Sequence, residues 1–277
     1  MKATTYYDSA QVRRPLITEF QNFWSYRGLL KLLVARDLTV RYKRSILGVW
    51  WTLLNPLLTT AIMWLIFGKL FARFQTEGEP YVLYLLAGVL LMTFFSQGML
   101  STGAAITDAS GILSKVYVPA EVFALSTSVA AGINLVIGLI PLFVVQLVTG
   151  TGIPWTALLI PIPALAMLAL VTGLGLLVAS AAVYFYDILD ITRVLVQLVY
   201  YLTPVFWPIA GFSDSKWLPF VKANPLFSYV DIFRDVAYRG VLPQLWELAM
   251  VTVTALGFLT LGVWVFSKSW REIVGSL

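Results

Sequence analysis

The sequence predicts an all-α integral membrane protein. It has six transmembrane helices, an N-terminal amphipathic helix in the membrane interface, and two short re-entrant helices before the last span. Three observations predict it. The 277 residues are 59% hydrophobic and 12% charged, with mean hydropathy +0.84, whereas soluble domains carry about 25% charged residues. Six segments reach the roughly 20 apolar residues that a hydrocarbon core of about 30 Å demands. The net charge of +5 is concentrated before Val49: Lys2, Arg13, Arg14, Arg27, Lys31, Arg36, Arg41, Lys43 and Arg44 against Asp8, Glu19 and Asp37.

Residues 1–26 are polar and aromatic and read as a cytoplasmic segment. Residues 27–48 read as the interface helix. At 100° per residue, Leu29, Leu32, Leu33, Val40 and Leu47 share one face, and Arg27, Lys31, Asp37, Arg41 and Arg44 lie opposite. Arg36 and Lys43 fall on the apolar side, where their stems bury methylenes and their charges reach the headgroups. A sharp turn then leads into the first span. No short apolar stretch with a small-residue cleavage site precedes it in the sequence, so the first span is expected to act as the insertion signal.

The transmembrane region covers 49–267, with spans at about 49–71, 81–100, 122–148, 155–184, 188–209 and 246–266. Pro56 predicts a kink in the first. The fourth exceeds the required length and must tilt or bend near Pro161 and Pro163. Residues 214–240 are aromatic and apolar, yet Lys222, Asp231, Arg234 and Asp235 interrupt them and Pro219 and Pro225 divide them. Neither half can cross, which predicts two helices dipping back into the membrane. An even span count puts both ends on one side, and the basic N-terminus puts that side in the cytoplasm. Loops 101–121 and 185–190 and the tail 268–277 are then cytoplasmic, while 73–80, 149–154 and 210–243 face outward.

The chemistry available is narrow. With no His and no Cys, thiol nucleophiles and imidazole acid–base or metal chemistry are absent. No residues are assigned to catalysis, to a metal or to a cofactor. There is no G-x-x-x-x-G-K-[ST] phosphate loop, and no carboxylate pair in mid-span of the kind that couples transport to ions. Gly173-Leu174-Gly175 lies in an apolar helix and, with Ala179 one turn on, signals close helix packing. The basic start faces anionic lipid rather than nucleic acid, because it adjoins a span.

Some features carry two readings. Asp187, Asp190 and Arg193 form either a capped helix start with an i, i+3 ion pair or a cytoplasmic partner contact. Trp50, Trp51 and Trp207 fit an interfacial belt. Tyr200, Thr203 and Trp207 share a helix face at i, i+3 and i+7, which serves core packing or a stacking surface for sugar rings. Loop 101–121 is helix-compatible from 104 to 115.

The stretch Arg36-Asp37, Arg41-Tyr42-Lys43, Ser45, Leu47-Gly48 and Trp51 resembles the N-terminal motif of ABC-2-type permeases that export polysaccharides such as O-antigen, teichoic acid and galactan. Thr203-Pro204 with Trp207-Pro208, then Asn224-Pro225-Leu226 and Phe233-Arg234, resemble later motifs of the same family. Tyr186 departs from it, standing where many members have Arg. The resemblance covers most of the chain and implies the ABC-2 (type V) exporter fold. It implies a bacterial plasma-membrane homodimer with two copies of a separate ATPase, which would hold ATP and Mg. The substrate implied is a glycan on a polyprenyl diphosphate. Arg36, Arg41, Lys43 and Arg44 would meet the diphosphate, although the same charges would also serve surface anchoring alone. Trp50, Trp51, Tyr200, Tyr201 and Trp207 would line the glycan path. A coupling helix at 104–117, with Ile106, Asp108, Ile112, Leu113 and Lys115, would dock on the ATPase together with Asp187. An ABC-2 drug or lipid exporter is the alternative, and a membrane-embedded lipid-linked sugar transferase is the second.

Overall fold

The computed structural model describes residues 26–43, 45–71, 80–113, 115, 118–185, 187–209, 216 and 218–276. The expected cytoplasmic segment before residue 26, Arg44, most of the turn at 73–80, Tyr186 and residues 210–215 lie outside the described residues, as do 114, 116 and 117 of the expected coupling helix. Every regular element among the described residues is helical. In order they are α1 (Arg27–Tyr42), α2 (Trp50–Phe71), α3 (Tyr81–Asp108), α4 (Ser110–Leu113) and α5 (Glu121–Thr149). A 3₁₀ turn (Trp155–Leu159), α6 (Pro161–Ala182) and α7 (Ile188–Leu202) follow. Then come α8 (Leu218–Ala223), α9 (Pro225–Arg234), a π turn (Asp235–Arg239) and α10 (Leu245–Ser276).

Among the described residues, five stretches are long and apolar enough to cross a membrane: Trp50–Gly68, Tyr81–Leu113, Glu121–Thr149, Trp155–Ala182 and Leu245–Ser269. The segment expected as a further span, 188–209, departs from expectation. Its helix α7 has 15 residues, about 22 Å at 1.5 Å per residue, and it ends at Leu202. Thr203 is already extended, at φ −78° and ψ 136°. Pro204 explains the stop, since a following proline pushes the preceding residue out of the helical region. The bend expected in the fourth span is also located. A 3₁₀ turn gives way to an α-helix at Pro161, the first helical position, where a missing N–H costs nothing.

Helix α3 is the hub. It packs on α2, α5, α6, α7 and α9, and 72% of its most apolar stretch is buried against 11% for α2. A helix that is apolar all round belongs in the middle of a bundle. The extended backbone beyond α7 packs against the start of α3. The Tyr84 hydroxyl lies 2.8 and 2.9 Å from the carbonyl oxygens of Pro204 and Trp207, and the Tyr81 hydroxyl donates to the Phe206 carbonyl. Arg234, 1% exposed, donates to the Val205 carbonyl at 3.3 Å and to the Tyr84 carbonyl at 3.1 Å. Its guanidinium carbon also sits 3.5 Å from the Tyr84 ring centroid, a cation–π contact.

Two short helices occupy the region expected to be re-entrant. Asn224 caps α9, accepting from the Leu226 N–H at 3.0 Å, and donates to the Thr203 hydroxyl at 2.9 Å. Asp231 and Asp235, which read as interruptions, are both bridged by Arg239, at 2.7 and 2.9 Å. The π-turn carbonyls of Val236 and Ala237 accept from Thr156 and Gln146, at 2.9 and 3.0 Å.

Gly173 does pack closely, as the sequence predicts. A Cβ on it would lie 2.3 Å from the Phe258 carbonyl oxygen, and one on Gly262 would lie 2.2 Å from that of Gly173. Helices α6 and α10 therefore touch backbone to backbone. Gly262→Ala should lower the thermal midpoint of the detergent-solubilised protein, costing at least about 2 kcal/mol by overpacking. Gly257→Ala, with nothing within 4 Å of the added carbon, should be neutral or mildly stabilising. Equal melting of the two variants would remove the close approach.

Candidate functional site

The most chemically varied region lies where α1 meets α2, α3 and α5. Helix α1 packs on α5: Leu33 is buried with Val122 and Phe123, and Tyr26, Leu29 and Leu30 pack around them. The inner face differs from the one periodicity predicts. Leu32 and Val40 are 70% and 65% exposed, while Leu33 and Val34 are buried. Asp37, expected on the polar side, turns inward. Its carboxylate accepts from the Ser126 hydroxyl at 3.2 Å and pairs with Arg36 at 2.8 Å. The helix has apolar residues on two sides, and the side that found a partner helix became the inner one.

Helix α1 ends at Tyr42, short of the expected 48. Lys43 is extended, and Gly48 takes a φ of +52°, a left-handed conformation that glycine adopts without steric cost. The Ser45 hydroxyl accepts from the Gly48 N–H at 3.1 Å. This turn brings the chain from α1 into α2. Tyr42 fastens it on both sides: its hydroxyl donates to Asn134 Oδ1 of α5 at 2.6 Å and lies 2.5 Å from the Thr52 hydroxyl of α2.

Of the four expected diphosphate cations, the three described, Arg36, Arg41 and Lys43, do not converge on one point. Arg36 is held by Asp37, and Lys43 is exposed at the turn. Arg41 alone of the described three lines a cavity, of about 260 Å³, and donates to Gln97 of α3 at 2.9 Å. Trp51 lines the same cavity, and Trp50 beside it is exposed. Tyr42, Gln97 and Asn134 contribute walls that the sequence reading did not assign. Asn134 and Gln97 each stand as amides within otherwise apolar stretches, and that was the signal available.

The remaining aromatics lie near the end of α7. Tyr200, Tyr201 and Phe206 form a cluster with centroids 5.5 to 6.1 Å apart. Trp207 does not share a helix face with Tyr200, because α7 stops at Leu202; its indole N–H donates to the Tyr201 carbonyl at 3.4 Å. Phe206 was the missed member of this group.

The expected coupling helix is also redrawn. Residues 104–108 complete α3, Ala109 is a turn, and α4 spans only Ser110–Leu113. Ile106 is fully buried against Ala120, Ala124, Leu176, Ala179 and Phe266, so it is not a docking residue. Asp108, Ile112 and Lys115 are exposed, and Leu113 is half-buried against the α1 and α5 cluster. Asp187 is exposed and precedes α7 without a side-chain capping bond, which corrects the expected cap. The Asp190–Arg193 pair forms, at 2.5 Å and well exposed.

The family model described as "ABC-2 type transporter" matches residues 28–238. The O-antigen export system permease protein RfbA of Myxococcus xanthus is 31% identical over 245 residues, covering 87% of this chain and 93% of that protein. The permease of the same name from Klebsiella pneumoniae is 26% identical over 242 residues, covering 87% and 91%. With three quarters of its length inside the family match and, among the described residues, five helices long and apolar enough to cross a membrane, this chain belongs to the ABC-2 type transporter family and is a multi-pass membrane subunit of a transporter.

Proposed function

We propose that this chain is the permease of an ATP-driven exporter moving a polyprenyl-diphosphate-linked polysaccharide across the bacterial plasma membrane from its cytoplasmic side. The similarity to O-antigen export permeases over 87% of the chain carries this reading. Two copies of the chain would form the path, and two copies of an ATPase would bind ATP and Mg below it. Helix α1 lies in the cytoplasmic interface, with exposed Leu32 and Val40 toward the acyl chains. Helix α7 and the extended residues after it together complete a sixth crossing, and α8 and α9 dip back from the outer side. The tyrosines and Trp207 near that break, with Trp50 and Trp51 at the other end, offer ring faces to the sugars.

Topology is testable in this cysteine-free chain. Thr151→Cys should react with an impermeant maleimide added outside intact cells, and Asp108→Cys only after the cells are opened. The reverse pattern overturns the orientation.

The basic turn is proposed to hold the diphosphate through Arg36, Arg41, Lys43 and Arg44. Arginine forks onto phosphate oxygens and lysine adds a point charge, whereas generic attraction to anionic lipid gives about 1 kcal/mol per cation regardless of position. Arg41→Ala with Lys43→Ala should lower export at least tenfold while the protein still inserts. Adding Thr39→Lys and Ser45→Lys should restore surface binding but not export; full recovery of export would leave only the surface field.

The exposed trio Asp108, Ile112 and Lys115, joined by Asp187, is proposed as the ATPase contact, since apolar surface in water beside charge marks an interface. Ile112→Asp should strip the ATPase from the purified permease. Undiminished co-purification and export in that variant would remove the contact.

A further inference from the structure

We infer that the cavity behind Arg41 holds one sugar ring, that of the glycan residue attached to the diphosphate. This rests on the exporter reading above and adds to it a site that recognises the sugar. The cavity measures about 260 Å³, below the roughly 300–1,000 Å³ of pockets that take drug-sized ligands. It has room for a single ring and not for a chain of them.

Its lining is that of a carbohydrate site. Among the described residues Arg41 is the only charge on it, and its Nη1 is already given to Gln97. The other polar walls are neutral: Tyr42, Thr52, Asn55, Thr93, Gln97 and Asn134. Trp51 and Phe94 supply rings, whose faces suit the C–H face of a sugar. Hydroxyls and amides both donate and accept, as sugar hydroxyls do. A phosphate only accepts and would leave the amide oxygens among these groups without a donor. An acyl chain would leave all of them unpaired.

One group at the wall lacks a partner. Asn134 is 7% exposed; its Oδ1 accepts from Tyr42, but its amide nitrogen, itself buried, has no hydrogen-bond partner. An unsatisfied buried amide is costly, and a ring hydroxyl accepting from it after a small side-chain shift would satisfy it. Pro56, inside α2 on the same wall, gives no N–H to its own helix. Arg41, exposed at the rim, separates this interior from the basic turn. The diphosphate stays at the turn and the ring enters behind it.

The test uses the full-length permease with its ATPase, in detergent, and short-chain prenyl diphosphates. One is bare, and three carry a single N-acetylglucosamine, glucose or galactose. Binding is read by the change in tryptophan fluorescence and confirmed by native mass spectrometry. At least one sugar-bearing lipid should bind about tenfold tighter than the bare one, the increment of one or two good hydrogen bonds. Asn134→Leu should bring that lipid down to the affinity of the bare diphosphate. Asn55→Leu, at an exposed position, should reduce the preference several-fold and keeps the test open if Asn134→Leu fails to fold. Equal binding of all four lipids to the wild type overturns the sugar site and leaves the exporter reading standing. A preference that persists in both variants places the sugar elsewhere and also overturns it. Binding of none of the lipids overturns the exporter reading and this site with it.

Discussion

An unwound stretch of backbone inside an apolar bundle survives only where its carbonyls find donors, and residues 203–207 meet that demand through three side chains. Tyr81 and Tyr84 reach them from the first turn of α3, and Arg234 from the end of α9. Much of the surrounding structure follows. Helix α7 can stop at Leu202 because the carbonyls beyond it are satisfied. Helix α9 must lie beside α3 for Arg234 to reach across. Residue 88 must be small, since a Cβ there would stand 2.7 Å from the Arg234 guanidinium. Arginine suits the task because its planar fork carries five donors at fixed angles, and the Tyr84 ring beneath it replaces part of the lost hydration. The π turn obeys the same rule with neutral donors, Thr156 and Gln146.

Hydrocarbon gives helices no reason to associate through apolar area alone, so packing quality has to supply the attraction. Helices α6 and α10 obtain it by removing side chains: Gly173 and Gly262 let two backbones approach as closely as backbones can. Gly175 does the same beside Thr102 of α3, where a Cβ would lie 2.5 Å away. Helix α3 is thereby gripped from one side by α6 and from the other by α5, and its own apolar residues point in all directions.

The long helices were legible because length and hydropathy alone define a crossing. The glycine pair was legible too, since small residues in an apolar helix have few other uses. What escaped the sequence was contact-dependent. Asp37 belongs to a polar face by periodicity, yet it turns inward because Ser126 of α5 offers a hydroxyl there. Ile106 read as loop surface and is core, because α3 runs on past the expected end of its span. Asp231 and Asp235 read as interruptions of an apolar segment because Arg239, at the end of that stretch, becomes their common partner only once the π turn forms. At the candidate site, Arg41 and Trp51 were legible from charge and position. Tyr42, Gln97 and Asn134 were not, since an amide in a span becomes informative only once its neighbour is known.

Helix α3 also fixes the spacing between the two polar regions. Gln97, which holds Arg41, and Tyr84, which holds the unwound segment, are 13 residues apart on one continuous helix, a rise of about 20 Å. With neighbours on every side, that helix cannot shift without breaking contacts to five others. Motion between the cavity and the far end is therefore easiest in the elements that share the least buried surface. The least buried is α2, whose apolar stretch is 11% buried; α10, at 17%, is pinned backbone to backbone on α6. Local opening draws on regions of few buried contacts, and α2 carries Thr52, Asn55 and Trp51 on the cavity wall. The wall that α2 contributes is thus the movable one, while the walls built from α3 and α5 stay with the rigid core.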